Sequence, residues 1–152
     1  MIRYFDASAW VKRYVREAGT DQLNRLVSGA TVATCRLTEA EVSSALCRRA
    51  REGDLSESGR DAALALFRAD LHRIRVVELV PAVVASVHVL LSRHPLRASD
   101  ALQLAAALAL RHGVADLAEV DFVGCDDRLN RAAAAEGFLV HDPTGARTES
   151  RR

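Results

Sequence analysis

Lysine is almost absent from this chain. Lys12 is the only one among 152 residues, so nearly every positive charge is an arginine, whose planar guanidinium grips phosphate in a bidentate fork where an ammonium acts as a point charge. Genomic base composition feeds the same bias. Net charge is nearly absent too, at +1, which removes any whole-molecule field for nucleic acid and requires any basic surface to be local. The three cysteines, Cys35, Cys47 and Cys125, form neither an even set nor a CxxC pair, which argues against a disulfide framework or structural zinc and leaves them as small buried apolar residues. No apolar run nears the roughly 18 residues that a membrane span needs. Met1-Ile2-Arg3-Tyr4 also lacks a signal-peptide core, so the expectation is a cytoplasmic protein without a membrane. The five histidines form no HExxH or HxH pattern and are expected at helix ends and in loops.

With 49% hydrophobic and 27% charged residues, the chain suits one packed domain. Ile2 to Phe5 reads as a buried strand, followed by Trp10, Val11, Tyr14 and Val15 at helical spacing with Gly19 as the stop. Thr20 is placed to cap a helix bearing Leu23, Leu26 and Val27, and Thr31 to Cys35 is a β-branched strand. Thr38 and Glu41 have capping-box spacing at the head of a third helix. Ser56 opens a helix reaching about Arg73. Arg75 to Leu79 is the third strand, Pro81 starts a helix reaching about Ser92, and Ser99 caps an apolar helix closed by His112-Gly113. Val120 to Gly124, a helix over Asp126 to Glu136, and a strand over Phe138 to Val140 complete the pattern. Residues 1–142 are expected as the domain and 143–152, rich in polar residues, as a disordered tail. Strands alternating with helices imply a mostly parallel sheet of about five strands in a three-layer α/β/α sandwich.

Four carboxylates head four of these helical patterns: Asp6, Glu41, Asp100 and Asp126. In such a sheet, ligands bind beyond the carboxyl ends of the strands, which is where the acids would converge. Each has a bland explanation as a cap or a dipole partner. As a set they are harder to dismiss, because two unit charges about 4 Å apart repel by roughly 4 kcal/mol at an effective dielectric near 20. Neutral Ser, Thr or Asn would cap without that cost. Hard oxygen donors without matching His or Cys suit Mg²⁺ or Mn²⁺.

The blocks Phe5-Asp6-Ala7-Ser8-Ala9-Trp10, Leu37-Thr38-Glu39-Ala40-Glu41, Arg97-Ala98-Ser99-Asp100-Ala101-Leu102-Gln103-Leu104 and Phe122-Val123-Gly124-Cys125-Asp126-Asp127 together resemble a PIN domain, closest to the VapC-like ribonuclease toxins of type II toxin–antitoxin systems. All four occur in family order. The resemblance covers residues 1 to about 142 and implies a PIN-like sandwich with Asp6, Glu41, Asp100 and Asp126 holding Mg²⁺ (or Mn²⁺). It also implies Ser8 as a hydroxyl ordering the site, an RNA substrate, a cognate antitoxin, and assembly as a homodimer and as a toxin–antitoxin hetero-oligomer. One departure stands out: the family often has Thr or Ser two residues before the fourth acid, and Gly124 is there, which suggests a missing hydrogen bond that Gly124→Ser would restore. Asp127 is a candidate to compensate.

Arg13, Arg48, Arg49, Arg97 and Arg128 lie near these blocks and can meet phosphates, while Trp10 and Tyr14 read as packing or an interface. Two other readings remain in view, a receiver-like acidic-pocket module and a catalytically silent PIN domain that binds RNA or protein. The first needs a lysine after the last strand, and the only lysine follows the first. Metal titration discriminates the second.

Overall fold

A computed structural model describes residues 1–114 and 120–145. Strand β1 (Ile2–Phe5) forms the centre of a five-stranded sheet. It is followed by a short α1 (Ala7–Trp10), a single 3₁₀ turn (Val11–Arg13), α2 (Thr20–Val27), β2 (Thr31–Cys35), α3 (Leu37–Glu52) and α4 (Glu57–Leu71). Then come β3 (Arg75–Val77), α5 (Pro81–Arg93), α6 (Ala98–Gly113), β4 (Val120–Val123), α7 (Asp127–Ala135) and β5 (Val140–His141). All strand pairs are parallel, in the order β3-β2-β1-β4-β5, with Tyr4 of β1 opposite Ala33 on one side and Phe122 on the other.

Alternation along the strands separates two cores, as the pleat requires. Tyr4, Cys35 and Phe122 pack with Leu90, Ala101, Leu104, Ala105 and Leu129 under α5, α6 and α7. Phe5, Val32 and Val123 pack with Trp10, Leu23, Leu46 and Phe67 under α1 to α4. The result is the expected three-layer sandwich. Its strand order departs from the 2-1-3-4-5 order of receiver domains, which removes the receiver reading. The order reverses at β1, between the chain's first excursion to β2 and its later one to β4.

Several expected boundaries move, each for a visible reason. The helix after β1 does not run to Gly19: Tyr14 Oη and Arg13 Nε both donate to Asp70 Oδ2 of α4, at 2.9 and 2.7 Å, and the chain tightens into a 3₁₀ turn to reach it. Gly19 instead precedes α2 with φ +94°, where a Cβ would stand 2.9 Å from the Pro143 carbonyl oxygen, so close backbone approach as well as the turn excludes a side chain. Thr20 is the first residue of α2 rather than its cap. Neither Ser99 nor a Thr38–Glu41 box caps its helix; the cap positions are Arg97 and Arg36. Phe138 lies before β5, because Gly137 (φ +87°) turns the chain and the Phe138 ring packs against Phe122. Of the expected tail, Pro143 to Gly145 follow Asp142 in a turn that its carboxylate anchors through Thr144, and 146–152 lie outside the described residues.

Candidate active site

Asp6 stands one residue beyond β1 and caps α1. Its backbone N–H donates to Val123 O of the neighbouring β4 (2.9 Å), and its Oδ2 accepts from Ser8 N–H (3.0 Å). The side chain is almost fully enclosed. Ser8 Oγ accepts from Cys125 N–H at 2.9 Å, so the hydroxyl ties the end of β1 to the loop after β4. That loop carries Asp126, half-buried, which caps α7 by accepting from Arg128 and Leu129 N–H through Oδ1. The crevice between β1 and β4 is the switch point of the sheet, the position where open parallel sheets bind ligands.

Glu41 sits in the second turn of α3. Its Oε2 accepts from Gln103 Nε2 at 2.7 Å, and Gln103 is the element that sequence reasoning missed. This amide is wholly buried on α6. Its Nε2 also donates to Thr38 Oγ1 (2.9 Å), and its Oε1 accepts from Tyr4 Oη (2.5 Å). Thr38 in turn shares a hydrogen bond with Thr34, whose hydroxyl donates to Phe5 O. A chain of buried polar groups thus runs from β1 and β2 to Glu41, and a lone amide among Ala101, Leu104 and Ala105 was the signal for it. Asp100 in the first turn of α6 accepts from Arg97 N–H at 3.3 Å.

Three of the acids are electrostatically linked, the charge of Asp100 acting on Asp6 and the charges of Asp6 and Asp100 on Glu41. Burial pushes the Asp6 carboxyl above its ordinary value despite the Ser8 hydroxyl and the Ser8 and Ala7 N–H groups that oppose it, and the Asp100 charge adds to the rise. Glu41 is pushed up to about 6, first by burial and then by the charges of Asp6 and Asp100, with the Gln103 amide opposing. A divalent cation would relieve this repulsion, and the donor set is all hard oxygen, so the residues fit Mg²⁺ or Mn²⁺ chemically. Among the described residues no three acid, His or Cys side chains converge closely enough to grip one ion as they stand.

A cleft of about 740 Å³ is lined by Ser8 and by Glu41, the one of the four acids in its wall, with Lys12, Arg48, Arg49 and Arg97 supplying its cations. The more apolar groove of about 430 Å³ between α5 and α6 reaches Glu136 but none of the four acids.

The remaining candidates sort as follows. Asp127 is exposed and lies 3.6 Å from Arg131. Arg13 is paired with Asp70, away from the cleft, and Arg128 is exposed. Trp10 is fully buried against Phe5 and Tyr14, which makes it core rather than an association surface. Among the histidines, His88 lies inside α5, His94 faces Glu136, and His141 lies 2.9 Å from the buried Asp121. Gly124 reverses the expected gain from a hydroxyl. Its φ is not positive, but a Cβ there would stand 2.6 Å from Asn130 Oδ1 and 3.0 Å from Phe122 Cε1. Asn130, buried and donating to Gly124 O at 3.0 Å, occupies the space that a side chain at 124 would need.

Comparison with known proteins places the fold in a family. A family model described as PIN domain matches residues 3–135. Ribonuclease VapC45 and Ribonuclease VapC49, both of Mycobacterium tuberculosis, are each 38% identical over 138 residues, which is 90% of this chain and 92% of theirs. VapBC2 from Rickettsia felis, bound to a DNA fragment from its promoter, superposes with a TM-score of 0.63 at 13% identity, over 93% of this chain and 98% of that one. A toxin–antitoxin complex from Klebsiella pneumoniae gives 0.64 at 15% identity, over 93% and 97%. The sarcin–ricin loop cleaving toxin VapC20 of Mycobacterium tuberculosis gives 0.64 at 20% identity, over 90% and 96%.

Proposed function

The chain belongs to the PIN-domain family, and within it to the VapC ribonucleases, and from that premise we propose that it is the ribonuclease toxin of a toxin–antitoxin pair. It hydrolyses RNA phosphodiester bonds with Mg²⁺ or Mn²⁺ held by Asp6, Glu41, Asp100 and Asp126, while Ser8 fixes the loop that carries Asp126. The observation that carries this reading is the grouping of buried Asp6, held at the sheet's switch point by Val123 and Ser8, with the Gln103-held Glu41, the charge of Asp100 acting on both.

A bound divalent cation would supply Lewis-acid polarisation of the phosphoryl oxygen and neutralise developing charge. The chain's own groups do the rest. Asp6 is fixed by two backbone N–H contacts, its own to Val123 and that of Ser8 to its carboxylate, so its carboxylate points one way before substrate arrives. Glu41 is held through its Oε2 by the Gln103 amide at 2.7 Å, so the carboxylate that holds the cation or orients the attacking water is fixed before substrate arrives. Arg48 and Arg97 are exposed in the cleft and carry no ion pair among the described residues, which suits contact with the RNA phosphates. No covalent intermediate on the protein is required, because water attacks phosphorus as the ribose oxygen leaves.

The proposed partner is a cognate antitoxin, supported by toxin–antitoxin complexes among relatives of the same fold. Self-association into a homodimer belongs to the same proposal and is read by light scattering. Expression in a bacterial host tests the toxin reading: the wild type arrests growth, and Asp6→Asn, expressed to the same level and folded, does not. Unimpeded growth on expression of the wild type overturns it.

A further inference from the structure

Glu17 belongs to none of the family blocks, yet it stands in the wall of the same cleft and holds two of its four cations. Lys12 Nζ lies 2.9 Å from Glu17 Oε1, and the Arg49 guanidinium closes on Oε2. The backbone that carries the pair is fixed as well: Glu17 N–H donates to Thr20 Oγ1 and Thr20 Oγ1 donates to Lys12 O, each at 3.0 Å. The lysine side chain is only 11% exposed in this clamp. Arg48 and Arg97, by contrast, are exposed and unpaired among the described residues.

A cleft shaped only to hold polyanions would point all four cations at the phosphates. A fixed carboxylate between two of them does the opposite, because a phosphate must displace Glu17 before it gains either. Uniformly tight binding of substrate and product also brings no rate advantage and slows release. We propose that Glu17 limits the phosphate affinity of the cleft by withholding Lys12 and Arg49 from RNA, leaving Arg48 and Arg97 to carry its phosphate contacts. This inference rests on the ribonuclease reading above.

The salt dependence of RNA binding separates this role from a purely structural tie between the 3₁₀ turn and α3. The probe is a fluorescently labelled single-stranded oligouridylate, bound to the full chain in EDTA so that no cleavage occurs. Each phosphate contact to a single strand contributes about 0.7 to the slope of log affinity against log salt, so two contacts give a wild-type slope of about −1.4. Glu17→Gln, which keeps the side-chain shape, should bind more tightly and steepen the slope towards about −2.8 as two more cations are released. Lys12→Met in the wild-type background should leave the slope where it is, and Arg48→Ala should flatten it by about 0.7. If Glu17→Gln does not fold, the Lys12→Met and Arg48→Ala pair still decides. A Glu17→Gln slope equal to the wild type, or a Lys12→Met loss as large as that of Arg48→Ala, overturns the role of Glu17 while leaving the ribonuclease reading in place. Failure of the wild type to bind the oligouridylate at any salt concentration also overturns the role of Glu17, whereas the ribonuclease reading falls only if cellular RNA is left intact with Mn²⁺.

Discussion

A leucine in place of Gln103 keeps the volume of the side chain and suits the helix, but it deletes three hydrogen bonds at once: from Tyr4 Oη, to Thr38 Oγ1 and to Glu41 Oε2. The two neutral bonds contribute about 0.5–1.5 kcal/mol each and the one to the carboxylate about 1.5–3 kcal/mol. The buried Tyr4 hydroxyl loses this partner, while the leucine side chain recovers part of the loss through apolar burial. The net expectation is a destabilisation of about 2–4 kcal/mol, which at this chain length shifts the melting temperature by on the order of 10 °C. Trp10, the only tryptophan and fully buried, reports urea unfolding directly. The same substitution has a functional signature that simple loss of packing lacks. The Gln103 amide opposes the rise of the Glu41 pKa, so its removal should move the acid limb of kcat/KM to higher pH. A Gln103→Leu variant as stable as the wild type, with an unshifted pH profile, would refute the buried network as the support of Glu41.

In EDTA, the raised Glu41 makes the folded protein bind a proton more readily than the unfolded chain, so its contribution to stability grows as pH falls from 7 through about 6 towards the ordinary glutamate range. After discounting for partial exposure this is about 1 kcal/mol; Glu41→Gln should abolish that slope in urea titrations, and an identical slope in the variant would contradict the assignment. Gly124→Ser should destabilise by about 1–3 kcal/mol through overpacking against Asn130, with Asn130→Ala relieving part of the loss in the double variant; strict additivity in calorimetry would show that the two positions do not compete for space. Mg²⁺ should raise the melting temperature of the wild type more than that of Asp100→Asn, and equal shifts would mean that Asp100 contributes nothing to cation binding.

The sheet was largely legible because its strands announce themselves locally: Ile2–Phe5 and Thr31–Cys35 form at the expected residues, and the alternation of strand and helix implied the layers. The helix boundaries that failed are those set by distant partners. Asp70 lies 56 residues from Tyr14 and 57 from Arg13, and no pattern near β1 reveals that it shortens α1. At the site, the family blocks pointed to Asp6, Glu41, Asp100, Asp126 and Ser8, and the elevation of Asp6 and Glu41 beside Asp100 bears on three of them. Gln103 lies within its block on a helix that is otherwise apolar, and spacing cannot show that the one amide on that face meets Tyr4, Thr38 and Glu41. Gly124 was read as a deficit for a related reason: the residue that fills its space, Asn130, lies a helical turn beyond the motif.

Whether the acids at the switch point make this chain a metal-dependent ribonuclease is decided by mapping new RNA ends after incubating purified protein with total cellular RNA. Wild type and Asp6→Asn are compared, each with Mn²⁺, with Mg²⁺ and with EDTA. Discrete new ends are expected for the wild type with either metal and none for the wild type in EDTA or for the variant under any condition. Cleavage that persists undiminished in EDTA, or that Asp6→Asn performs as well as the wild type, would contradict that expectation.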